Sequence, residues 1–139
     1  MERALAAPAA STAWLSILLG IYLLAGGFGA VLRGHLWAEI IDEFDRSPGL
    51  VAVTGAFAFV VGALVVTVHN VWTSPAAILV SAAGWIACAE GLSLLAVPQF
   101  WLRFARPMIA APRIWGALMI VLGAYLLAAG LIPGPAAPV

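Results

Sequence analysis

The sequence predicts an all-α membrane protein: four transmembrane helices built as two parallel repeats of a helical hairpin, each with an amphipathic interfacial connector. Three features carry this. Of the 139 residues, 65% are hydrophobic and only 9% charged, and the mean hydropathy is +1.12. A soluble domain carries about 25% charged residues, so a water-facing surface could not be covered here. The apolar residues fall in long uninterrupted runs, and the two halves of the chain align with one another.

The spans are Trp14–Leu32, Leu50–Val68, Ala76–Val97 and Ile114–Ile132. At about 1.5 Å of rise per residue, each is roughly as long as the hydrocarbon layer is thick. In lipid each must be a helix, because a lone strand would leave its backbone groups unpaired. Pro75, Pro112 and Pro133 sit at span edges, where a missing amide is tolerated. A signal peptide is the rival reading of the first span, with Ala25, Gly26 and Gly27 imitating a cleavage site. Its apolar run is longer than a normal signal core, and it has a counterpart in mid-chain, which favours a retained span.

That counterpart belongs to an internal repeat. Moved by 64 residues, Gly20, Gly27 and Trp37 fall on Gly84, Gly91 and Trp101. Moved by 61, the segment Gly55–Ala63 falls on Gly116–Ala124. The change of offset lies in the connecting segment, where length varies easily. A single transmembrane domain, residues 1–139, therefore divides into repeat 1 at about 12–72 and repeat 2 at about 75–133. Each half begins and ends on one side, so the repeats are parallel, related by an axis along the membrane normal. Every span also carries glycines seven residues apart: Gly20 and Gly27, Gly55 and Gly62, Gly84 and Gly91, and Gly116, Gly123 and Gly130. Seven-residue spacing keeps small residues on one stripe of a helix pair. Helix association in lipid depends on close approach, so these stripes are the expected packing seams.

All six basic residues are Arg, which with the Ala, Gly and Val content suggests a GC-rich bacterial genome and an inner-membrane protein. Arg3 is alone on one side of the membrane, whereas Arg33, Arg46, Arg103, Arg106 and Arg113 share the other. Positive charge stays inside, so connectors 33–49 and 98–113 are expected to be cytoplasmic and both termini outside. In the first connector Leu36, Trp37, Ile40, Ile41 and Phe44 share a helical face opposite Glu39, Asp42, Glu43 and Asp45. In the second, Phe100, Trp101, Phe104 and Met108 oppose Arg103 and Arg106. Such helices lie in the headgroup layer, a depth that suits Trp. One being acidic and the other basic, they also form a possible docking pair, with each other or with a neighbouring subunit.

Few residues could carry chemistry. Glu90 is the one ionisable group well inside a span, roughly 10 Å from its edge by helical rise. An embedded carboxyl is a functional candidate by default; the alternative is a protonated group, or a pair with Arg33 or Arg113 at the same end. Its counterpart in the first half is Gly26. His69 and Asn70 end the second span at the opposite side, roughly 20 Å away. With Trp72 they read as an interfacial cap, and haem ligation by His69 lacks a second facing histidine. Ser81, Ser93, Thr54, Thr67 and the lone Cys88 read as interhelical or back-bonding groups. No nucleophile–base pattern, phosphate loop or metal-ligand cluster is present, so neither an enzyme nor a cofactor protein is expected. Zero net charge gives nucleic acid no hold.

The stretch Glu90-Gly91-Leu92, followed by Pro98, Trp101, Pro107, Gly116, Met119 and Leu122-Gly123, resembles the YjeT-like short inner-membrane proteins of bacteria. The likeness covers about residues 84–130. The first half departs from it, with Gly26 in place of the acid and without the prolines. That family is of unknown function, so the resemblance implies a bacterial inner-membrane hairpin and no activity. The expectation is a non-enzymatic accessory or structural subunit of a larger bioenergetic, photosynthetic or transport complex, with membrane lipids, membrane-protein partners or a second copy as neighbours. The alternatives are a small transporter or channel using Glu90 as a proton or cation site and, more weakly, a binder of lipid or a hydrophobic pigment.

Overall fold

The computed structural model describes residues 2–100, 103, 107 and 110–132. Helices account for nearly all of them: α1 (Glu2–Leu32), α2 (Gly34–Arg46), α3 (Pro48–Val68), α4 (Pro75–Ala96) and α5 (Pro112–Leu131). Four are long and apolar enough to cross a membrane, over Ala10–Leu32, Pro48–Val68, Pro75–Ala96 and Pro112–Leu131. Proline punctuates the chain. Ser47, Ser74, Val97 and Ala111 each precede a proline and each leave the helical region, with φ between −123° and −144°. The proline ring clashes with a helical residue before it, so one element stops there, and the proline can then open the next at a position whose amide has no helical partner. Ser47 and Ser74 complete the starts of α3 and α4 by accepting hydrogen bonds from the amides of Leu50 and Ala77. Pro133 lies outside the described residues.

α1 reaches further back than its apolar run, because the alanine-rich segment after Arg3 favours helix without needing burial. α2 keeps its acids exposed and Leu36, Trp37, Ile41 and Phe44 half-buried, whereas Ile40 is exposed. None of its residues is buried by the protein, as suits a helix whose apolar face meets lipid.

Packing is uneven. α1 lies along α5, and α3 along α4, each pair antiparallel and extensive. The two spans of each half do not pack along one another. The hairpin expected within each repeat is thus opened, and every seam joins a span of one half to a span of the other. The cause is connector length. α2, with 13 residues, is roughly 20 Å long and holds α1 and α3 apart, beyond the 8–10 Å of packed helices. The short turn 69–74 keeps α3 and α4 together instead. The two pairs meet more lightly along α1 and α4, and α2 crosses their ends, touching α1, α3 and α5.

Glycine sets the seams. Gly20, Gly27, Gly55, Gly62, Gly84, Gly91, Gly116 and Gly123 are all buried. A Cβ on Gly20 would lie 2.8 Å from the Gly123 carbonyl oxygen, and one on Gly123 the same distance from that of Gly20. Gly27 and Gly116 face each other likewise, at 2.7 and 2.8 Å. In the other pair, Gly62 faces Gly84 and Gly91 faces Gly55. Two backbones approach this closely only where no side chain intervenes. The offsets of 64 and 61 carry Gly20 and Gly123 onto Gly84 and Gly62, and Gly27 and Gly116 onto Gly91 and Gly55. Large apolar side chains point outward instead: Tyr22 is 72%, Phe57 70% and Val121 69% exposed. Such a surface is tolerable when the surroundings are hydrocarbon.

Candidate functional site

The most organised polar group surrounds His69. Helix α3 ends at Val68, and an extended residue follows (φ −146°, ψ 99°). The His69 amide still donates to the Val65 carbonyl, while the ring turns inward between α1 and α4 and is 1% exposed. His69 is therefore not an outward interfacial residue. The extended backbone at the helix end swings its side chain away from Asn70 and Trp72, which are both exposed.

Both ring nitrogens are engaged. Nε2 lies 2.8 Å from Thr12 Oγ1 and Nδ1 3.1 Å from Ser81 Oγ. The Ser81 hydroxyl donates to the Val71 carbonyl at 2.8 Å and accepts from the Val71 amide at 3.0 Å. A hydroxyl has one hydrogen and two lone pairs. With its hydrogen on Val71, Ser81 can only accept from the ring, so the network assigns the hydrogen to Nδ1. In the neutral ring Nε2 then accepts the Thr12 hydroxyl hydrogen. Both ring nitrogens are thus held inside the chain. The group acts as a tie: one imidazole joins α1, the end of α3 and α4. Ser16 Oγ, one turn along α1 from Thr12, is buried without a hydrogen-bond partner.

Just outside, Asn70 Oδ1 accepts from Trp72 Nε1 at 2.8 Å and from Trp85 Nε1 at 3.5 Å. Two half-exposed indoles are thereby held at one end of the spans, the depth where Trp is favoured.

Glu90 lies nine residues beyond Ser81, roughly 13 Å further along α4, so the acid and the histidine are not brought together. It is half-buried beside Gly91 and is not left without an interaction. Arg33 and Arg113 are exposed at the connector end. They flank a contact in which Gly34 lies against the Pro112 ring, a Cβ there falling 2.8 Å from Cγ. Trp37 is half-buried on α2, and Trp101 lies outside the described residues. Thr67 and Ser93 bond back to carbonyls of their own helices, Thr67 to Ala63 and Leu64, Ser93 to Ala89. Among the described residues no three His, Cys, Asp or Glu gather as a metal site would require.

Thr12 and Ser81 are the partners that sequence reasoning did not attach to His69. One signal was available. The offsets put His69 on Gly130 and Ser81 on Ile17, so both members of the tie break the resemblance between the halves. No family model, curated protein or solved structure matches the chain.

Proposed function

We propose that this small multi-pass membrane protein is a non-enzymatic accessory or structural subunit of a larger membrane assembly. One observation carries the reading: only 17% to 28% of each span is buried inside the chain. Two rigid, glycine-sealed pairs are joined along α1 and α4, and long apolar faces remain available to other membrane helices or to a second copy. Seams of this kind form a frame rather than a cavity. The all-arginine basic content and the Ala, Gly and Val richness support a bacterial inner membrane, and the arginine distribution supports cytoplasmic connectors with the termini outside. The matching glycine frame of the two pairs supports an origin by duplication, and the YjeT-like stretch fits the same setting. Purification from native membranes in mild detergent tests the role. Companion subunits retained at fixed stoichiometry are expected, and a chain that always purifies alone would refute it.

Glu90 supports a second reading, a proton or cation path, because a half-buried carboxyl well inside a span is costly to keep. Reconstituted vesicles decide it: ion or proton flux abolished by Glu90→Gln favours transport, and absence of flux in the unaltered protein dismisses it.

A further inference from the structure

We propose that the connector-side end of the α1–α5 pair is a seat for an anionic phospholipid, its phosphate held by Arg33 and Arg113. Arg33 directly follows α1, and Arg113 stands in the first turn of α5. The Gly34–Pro112 contact brings these two chain segments together, so Arg33 and Arg113 stand at the same end of the pair. Both are exposed. The acids of α2 are set back from them: α2 has none in its first turn, and Glu39, Asp42, Glu43 and Asp45 all lie further along it. Two exposed arginines at headgroup depth attract a phosphate diester.

The tail has a place too. From Arg113 an exposed apolar face of α5 runs past Ile114, Ala117, Leu118 and Val121. It is turned away from the Gly116–Gly123 seam, so an acyl chain can follow the helix while its phosphate meets the arginines. A free anion would use the arginines alone; charge and exposed apolar face together fit a lipid.

The test uses the full chain, delipidated in mild detergent, with its thermal midpoint followed as lipid is added. Phosphatidylglycerol is expected to raise the midpoint saturably. Phosphatidylcholine with the same acyl chains, and inorganic phosphate, are expected to leave it nearly unchanged. Arg33→Gln with Arg113→Gln should weaken the phosphatidylglycerol effect about thirtyfold, each single change less. Arg46→Gln, the same loss of charge at the far end of α2, should not weaken it. A response to phosphatidylcholine as strong as to phosphatidylglycerol, or one unaltered in the double variant, overturns the seat. A midpoint reproduced by inorganic phosphate alone also overturns it, in favour of a simple anion site. The outcome does not depend on whether companion subunits exist.

Discussion

The α1–α5 and α3–α4 seams share a frame and differ at their ends. In both, two pairs of glycines seven residues apart bring backbone against backbone. The α1–α5 seam then continues to its end on a further glycine: a Cβ on Gly130 would lie 2.6 Å from the Ala13 carbonyl oxygen and from Ile17 Cγ1. At the matching place the α3–α4 seam gives up helix, and His69 fills the space against Ser81. At the other end Gly26, against Met119, corresponds to Glu90. Where the seams agree, the residue sets helix approach. Where they part, a polar group stands in one seam only, and the two seams cease to match.

The frame can be broken most severely at its tightest points. A Cβ on Gly91 would run into the Phe59 amide nitrogen, and one on Gly62 would stand 2.5 Å from that of Cys88. These are backbone atoms within helices and cannot step aside. Gly62→Leu should therefore abolish the folded state, and Gly91→Ala should cost about 1–3 kcal/mol or more. Gly84→Ala should be milder than either, since its nearest neighbours are the movable side chains of Val65 and Val66. Thermal or denaturant unfolding in one detergent measures the series. Equal midpoints for Gly84→Ala and Gly91→Ala would mean that backbone proximity is not what the glycines provide.

The difference between the seams is tested at His69. His69→Ala removes the ring that Thr12 and Ser81 share and opens a void among three helices, an expected loss of about 2–4 kcal/mol. Ser81→Ala removes the acceptor of both the Val71 amide and Nδ1, an expected loss of about 1–3 kcal/mol. The double variant should cost less than the sum, because one network is lost only once. Strict additivity, read from unfolding midpoints, would show that ring and hydroxyl do not act together.

Much of this frame could be read from residue order alone. Apolar runs located the four spans to within a few residues, since in lipid the backbone has no alternative to helix. The eight glycines stand out because spacing and repetition coincide. What could not be read was which span each stripe would meet. A stripe on Gly20 and Gly27 suits α3 as well as α5, and only the length of α2 against the brevity of 69–74 decides. The His69 tie was illegible for another reason. Its members lie 57 and 12 residues apart in sequence, and an isolated Thr or Ser in a membrane helix ordinarily bonds its own backbone, as Thr67 and Ser93 do. Nothing in the type of residue separates Ser81 from Ser93.

Ser16 sharpens the contrast at smaller scale. Its hydroxyl is buried and unpartnered, and the offset of 64 sets it on Val80, which is also buried. A hydroxyl withdrawn from water without a hydrogen bond is unfavourable, so Ser16→Ala should be neutral or stabilising by up to about 1 kcal/mol. A lowered midpoint would reveal that this hydroxyl serves α1 after all.

The smallest effect separates glycine as contact from glycine as composition. Gly27 and Gly29 stand two residues apart in α1. A Cβ on Gly27 would meet the Gly116 carbonyl oxygen at 2.7 Å, whereas one on Gly29 would have nothing within 4 Å. Within a helix, alanine is favoured over glycine by roughly 0.5–1 kcal/mol, because glycine loses more backbone freedom on folding. At Gly29 that gain is unopposed, so Gly29→Ala should raise stability by about 0.5 kcal/mol. At Gly27 the same methyl must push α5 away, and the sign should reverse. Paired unfolding titrations of the two variants settle it. Two shifts of the same sign would mean that α1 and α5 do not approach as closely as the Gly27–Gly116 geometry requires.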